Sequence, residues 1–280
     1  MTAAIDPTPV TAESTASSSR STSGPPLVEV QEVTVRFGGL VANDAVDLVV
    51  PAGAVAGLIG PNGAGKTTLF NVITGAQAPT RGRVLLDGTD VTTDSRADRA
   101  RRGMARTFQN LSLVPSLSLL DNVTIGCGRF RRSGLLSSIV HTPAMQRQDR
   151  LIRDVALGAL DFVGLSRDAM RLTGDLTYGD RRRLEIARAL ALQPRLLLLD
   201  EPSAGMGPQE TAQLAEVIER SRRELGLSVL LVEHDMSFVR ALAETCTVLE
   251  FGRVLLTGPT AEVLDHPAVA EAYLGNVATT

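Results

Sequence analysis

Gly60, Pro61, Asn62, Gly63, Ala64, Gly65, Lys66 and Thr67 form a GxxxxGK[ST] run, set directly after the apolar stretch AVAGLI and directly before TTLFNVITG. Between a strand and a helix, such a run folds into a loop whose successive backbone N–H groups turn inward around phosphates, with the helix dipole adding positive potential. Lys66 then extends to the β- and γ-phosphate oxygens, Thr67 offers its hydroxyl to magnesium, and Thr68 follows in the first helical turn. The bland alternative is a glycine-rich turn before an ordinary helix. Composition speaks against it: of 28 basic residues, Lys66 alone is lysine. A GC-rich genome favours arginine codons, so the one lysine left stands where a planar guanidinium does not fit a point-charge role. To this point the chain reads as a binder of nucleoside triphosphates.

The rest of the sequence organises around that loop. Residues 1–26 are rich in Ser, Thr, Ala and Pro with few large apolar side chains, and are expected to be a disordered extension of a folded unit spanning 27–280. LVEVQEVTVRF, VDLVV, AVAGLIG and RVLLDG read as strands separated by Gly or Pro turns. Helical periodicity follows in SRADRARR, AMQRQDRLIRDVALGALDFVG and DRRRLEIARALAL, giving a helical region at about 110–190. LLLLD, SVLLVE and CTVLEF then alternate with helices beginning near Pro208 and Asp235, and that alternation implies a parallel sheet. No internal repeat is visible, which argues against two tandem copies of one unit.

Two further segments carry chemistry. LLLLDEP is a buried strand ending in Asp200 and Glu201, whose side chains leave the strand in different directions. Asp200 can hold magnesium through water, and Glu201 can orient or deprotonate the water that attacks a γ-phosphate. A charged turn closing a buried strand is the ordinary alternative, and it weakens beside the phosphate loop. SVLLVE runs into His234, a second strand tip of the same sheet, where ligands gather. His141 and His266 have no such setting and read as surface residues.

LTYGD (residues 176–180) precedes an arginine-rich helix, with the acidic strand about twenty residues on. In this the chain resembles the ATP-binding subunit of ABC transporters, whose LSGGQ signature opens a helix at that place. The resemblance covers residues 28–275 and implies an α/β P-loop NTPase cassette: a mixed, largely parallel core sheet, an antiparallel β subdomain and a helical subdomain. It implies that Thr177 and Gly179 bind the γ-phosphate of ATP held by a second cassette in a head-to-tail dimer, so that one chain alone lacks a complete site. It also implies that Phe37, 23 residues before Gly60, stacks on adenine, and that Gln109 in RTFQN reaches magnesium and reports nucleotide state. Asp180 stands where the family usually has Gln, and Gly205-Met206 departs from the usual Ala-Leu-Asp, which puts dimer closure and the hydrogen bonding of that loop in question. Asp180 is expected to turn toward Arg182 or Arg183.

VRFGGLVAND, GMARTFQNLSLVPSLSLLDNV, RRSGLLSSIVHTPAMQRQ, EPSAGMGP, VEHDM and the closing AYLG are similar to the branched-chain amino acid importer ATPases. Relatives serving urea, short amides or lipopolysaccharide share the cassette and the terminal YLG. The resemblance implies permease subunits as partners, a solute-binding protein as an indirect one, and a place on the cytoplasmic face of the membrane. A net charge of −3 gives no field for holding nucleic acid, and a 280-residue chain with a single cassette lacks the coiled coils or paired cassettes of the soluble repair and translation ATPases. A binding module that has lost hydrolysis is disfavoured by the presence of Lys66, Glu201 and His234. Two distant cysteines form no CxxC pair, no apolar run approaches the ~18–20 residues of a membrane span, and the N-terminus lacks the order of a signal peptide.

Overall fold

The runs AVAGLI, LLLLD and SVLLV lack apolar–polar alternation because strands covered on both faces need apolar side chains everywhere. A computed structural model of the chain describes residues 26–107, 113–127 and 143–274. Six strands form the central sheet: β3 (Val55–Ile59), β6 (Met104–Arg106), β7 (Leu196–Asp200), β8 (Ser228–Val232), β9 (Thr245–Glu250) and β10 (Arg253–Pro259), in the order β10-β9-β3-β8-β7-β6. Neighbours are parallel except β10, which returns antiparallel on β9. A second, antiparallel sheet has the order β2-β1-β4-β5, with β1 (Pro26–Phe37), β2 (Leu40–Pro51), β4 (Arg81–Leu86) and β5 (Thr89–Asp90). β1 begins at Pro26, one residue before the apolar pattern does, at a strand start where proline is tolerated.

The pleat divides the core in two. Val55, Ile59, Leu197, Leu199, Val229 and Leu231 point into a layer shared with the helices, whereas Ala56, Leu58, Leu196, Leu198, Leu230 and Val232 face the antiparallel sheet and the first helix. The helices are α1 (Lys66–Ile73), α2 (Arg96–Arg101), α3 (Leu119–Gly126), α4 (Pro143–Phe162), α5 (Tyr178–Leu190), α6 (Pro208–Leu225), α7 (Met236–Leu242), α8 (Thr260–Leu264) and α9 (Pro267–Leu274). α3, α4 and α5 pack on one another and join the helix-side core layer without a break. Asp235 caps α7 by accepting from the Ser237 and Phe238 N–H groups, at the position the sequence marks as a helix start. No helix among the described residues is long and apolar enough to cross a membrane.

Arg99 of α2 is 1% exposed, a burial that the helical periodicity of SRADRARR does not announce. Its guanidinium donates to the carbonyls of Val72 (2.7 Å) and Ile73 (2.6 Å), to Thr92 O (3.0 Å) and to Asp94 O (3.3 Å). It thereby closes the C-terminal end of α1, where helical carbonyls lack intrahelical partners. Burial lowers its pKa from the ordinary arginine value, with Asp94 and Asp90 opposing. Arg99→Met fills the space but removes a donor from four carbonyls, of which those of Val72 and Ile73 are buried, with Val72 O keeping only the Gly75 N–H among the described residues. We expect a loss of about 3 kcal/mol or more, read as a fall in the urea midpoint at unchanged slope. Arg99→Lys should recover little, because an ammonium cannot fork across these carbonyls.

Candidate functional site

The phosphate loop joins β3 to α1 through backbone conformations that require glycine. Gly60 has φ 147° and Gly65 φ 98°; a Cβ would lie 2.1 Å from Leu249 O at the first and 2.5 Å from Ala42 O at the second. Three distant segments brace the loop. Asn43 Nδ2 of β2 donates to Gly65 O (3.2 Å), Gly252 N–H in the β9–β10 turn donates to Ala64 O (3.1 Å), and Gly60 N–H donates to the Tyr273 hydroxyl of α9 (2.7 Å). Burial pushes the Tyr273 phenol up to about 12, so it stays neutral. Lys66 is buried and its Nζ donates to Gly60 O (2.6 Å) and Pro61 O (2.9 Å). Burial lowers its pKa, while the Glu201 and Asp200 carboxylates pull the other way. At the start of α1 the N–H groups of Lys66, Thr67 and Thr68 belong to the first turn, which lacks intrahelical acceptors and favours an anion.

The two carboxylates diverge, as the alternation of a strand demands. Asp200 ends β7 at 2% exposure; its Oδ2 accepts from Arg106 Nη2 (3.3 Å), and Arg106 Nη1 donates to Asn71 Oδ1 of α1 (2.8 Å) while its guanidinium lies over the Phe70 ring. Burial pushes the Asp200 carboxyl above the usual range, with Arg106 opposing. Glu201 sits at φ 46°, a strained conformation for a residue with a side chain, held by its N–H on Val232 O (2.9 Å). Its Oε1 is 2.9 Å from His234 Nε2. Buried Glu233 ties the two strand tips together by accepting from Ser203 N–H (2.9 Å) and His234 N–H (3.0 Å).

One cavity of about 470 Å³ is lined by Phe37, by the loop and helix start from Asn62 to Thr68, and by Glu201 and His234. Two larger hollows, about 590 and 520 Å³, lie over β2 and β10 away from the carboxylates. Thr177 and Gly179 line a different cavity, of about 220 Å³, with Asp180 and Met206. Thr177 caps α5 by accepting from Asp180 N–H (3.1 Å), and Gly179 N–H donates to Glu210 Oε1 (3.2 Å). Asp180 turns to Arg183, one of the two arginines open to it. Gln109 lies outside the described residues. Among the bracing residues, Asn43 and Arg106 carry no sequence signal, and Tyr273 lies in the closing AYLG without a role legible there.

Residues 43–204 match the family described as ABC transporter. The chain belongs to the ABC transporter family. As an ABC cassette it is an ATP-hydrolysing P-loop enzyme. It is 41% identical over 250 residues to the high-affinity branched-chain amino acid transport ATP-binding protein BraF of Pseudomonas aeruginosa, covering 89% of this chain and 98% of that protein. Identity to LivG of Escherichia coli, an ATP-binding protein of the same transport, is 39% over the same shares. Among solved structures the cassette resembles the ADP conformation of MJ1267, an ATP-binding cassette of an ABC transporter, with TM-score 0.79 and 29% identity over 90% of this chain and 99% of that one. It also resembles the dimeric post-hydrolysis state of the cassette MJ0796 bound to ADP and Pi, with TM-score 0.68 and 27% identity over 83% and 98%.

Proposed function

We propose that this cassette powers an importer of branched-chain amino acids, working as one of two cassettes beneath membrane permease subunits. The observation that carries the catalytic half is one juxtaposition: a strained Glu201 carboxylate in contact with His234 shares a cavity with the phosphate loop and its lysine. The solute rests on the likeness to BraF and LivG, since a cassette never touches the transported molecule.

In this reading the triphosphate lies along Gly60 to Thr68 with its base against Phe37. Lys66 exchanges the Gly60 and Pro61 carbonyls for phosphoryl oxygens. Glu201 accepts a proton from the water that attacks the γ-phosphorus, the bond to the ADP oxygen breaks, and ADP and phosphate leave. His234 holds Glu201 in position. The donors available to a cation, the Asp200 carboxylate and the Thr67 hydroxyl, are hard oxygens, and no group of three or more His, Cys, Asp or Glu side chains is gathered among the described residues. That set fits magnesium, which keeps waters and substrate phosphates as its remaining ligands. Bound there, magnesium would neutralise charge on the phosphates, and Gln109, outside the described residues, is a further ligand only as the family resemblance implies.

The separation of Thr177 and Gly179 from the phosphate-loop cavity supports a head-to-tail pair, each α5 start closing on the partner's nucleotide. Closure then requires Gly179 N–H to release Glu210. A periplasmic-type binding protein delivers solute to the permeases, and the cassettes lie on the cytoplasmic face. The test is reconstitution with branched-chain amino acid permease subunits and a solute-binding protein. Leucine uptake driven by ATP and abolished by removing magnesium is expected; uptake of urea or a short amide in place of leucine overturns the solute, and hydrolysis indifferent to magnesium overturns the metal assignment.

A further inference from the structure

The chain is poor in aromatic residues: 3% of it, with seven phenylalanines and no tryptophan. Of the five phenylalanines among the described residues, Phe70 and Phe238 are buried and Phe162 is partly buried in the helix-side core. Only Phe37, at 49%, and Phe251, at 80%, are largely exposed. Exposing one large apolar ring is unremarkable by itself, but both exposed rings line the same cavity, the one that holds the phosphate loop. They reach it from opposite parts of the sequence, Phe37 from the β1–β2 turn and Phe251 from the β9–β10 turn.

The second turn is fastened to the loop. Gly252 N–H donates to Ala64 O inside the phosphate loop (3.1 Å), and Gly252 O accepts from Asp44 N–H of β2 (2.8 Å). Phe251 itself has φ 46°, a left-handed conformation costly for a bulky aromatic and easily met by Asn or Gly. Neither solubility nor folding favours a phenylalanine there, since its ring is in solvent and its backbone is strained. A flat π-face beside a nucleotide cavity accounts for it, because base–aromatic stacking recovers free energy from a ring that otherwise meets water.

We propose that Phe251 is a second aromatic contact for the nucleotide base, so that the base is held by two rings from two turns rather than by Phe37 alone. This rests on reading the cavity as the ATP site. The contact is specific for the base: it leaves the phosphates to the loop and makes no hydrogen bond that would tell adenine from guanine. Phe251 therefore sets affinity for a purine nucleotide more than choice among purines.

The test compares ATP with inorganic tripolyphosphate, which has the phosphates and no base. In full-length protein, Phe251→Asn relieves the backbone strain and removes the ring. ATP affinity by calorimetry is expected to fall about tenfold, as loss of one stacking contact implies, with tripolyphosphate affinity unchanged and Phe251→Tyr close to wild type. Phe251→Trp adds a single tryptophan to a chain that has none, and its emission should respond to ATP but not to tripolyphosphate. ATP affinity unchanged in Phe251→Asn overturns the proposal, and so does an equal loss for both ligands, which assigns the effect to the turn and the loop it braces. If wild-type protein binds ATP no more tightly than tripolyphosphate, no base site exists and the proposal falls. If it binds neither, the reading of the cavity falls first and takes the proposal with it.

Discussion

Glu201→Gln is expected to slow steady-state ATP hydrolysis by about 10²- to 10⁴-fold while leaving ATP affinity within a few-fold of wild type. The geometry explains why the two quantities separate. Glu201 follows the buried strand β7 with its backbone fixed at φ 46° and its N–H on Val232 O, so the replacement side chain starts from the same place. An amide keeps the shape of the carboxylate and can still meet His234 Nε2, yet it cannot take the proton of an attacking water. The loop that grips the phosphates is untouched, because Lys66, Gly252 and Tyr273 bond to its backbone and not to Glu201. With hydrolysis blocked, ATP should hold two chains together, visible as a dimer in gel filtration that wild type shows only transiently. Phosphate release within about threefold of wild type would remove Glu201 from the role of base.

Much of this site was legible because its residues stand at the ends of apolar runs. AVAGLI, LLLLD and SVLLV announce central strands, and Gly60, Asp200 and His234 stand at or just beyond the points where those strands stop. Asp235 was legible as a helix start, and its side chain caps the helix that follows, a purely local arrangement; Thr177, the cap of α5, is placed by the resemblance of LTYGD to the family signature, while the periodic run begins only at Asp180. What escaped is long-range. Tyr273 meets Gly60 across 213 residues, and Arg106 meets Asp200 across 94, and neither pairing leaves a periodicity to read. Arg99 is silent for a related reason: nothing in SRADRARR sets it apart from Arg96, Arg101 and Arg102, and the packing of α2 against the end of α1 turns this one guanidinium inward. The Ser118 and Asp121 pair that opens α3, with Ser118 Oγ accepting from Asp121 N–H, is a capping signal that sequence could have yielded. Asp180 shows the intermediate case. Its position at a helix start limited its partners to Arg182 and Arg183, and contacts within α5 decide between them, since Arg182 is drawn to Glu185 and the Tyr178 hydroxyl one turn away on either side.

Lys66→Arg should cost the cassette about two orders of magnitude in ATP affinity although the charge is retained. Nζ is a compact donor, buried at 6% exposure and in contact with two loop carbonyls at 2.6 and 2.9 Å. Those short bonds measure how little room lies between the first turn of α1 and the loop that arches over it. A guanidinium is longer and planar, and its donors diverge as a fork, so it can enter only by moving the loop or by leaving it. The loop resists moving. Gly60 is held by Tyr273 and lies where even a methyl group meets Leu249 O, while Ala64 and Gly65 are held by Gly252 and Asn43. The arginine is therefore expelled toward solvent, and the phosphates lose charge-assisted hydrogen bonds worth about 1.5–3 kcal/mol each. Two such bonds account for the expected loss. Calorimetric titration with ATP checks it, alongside a thermal melt showing that the variant is folded. An affinity within threefold of wild type would mean that a guanidinium fits here after all, and the solitary lysine among 28 basic residues would then be an accident of codon usage.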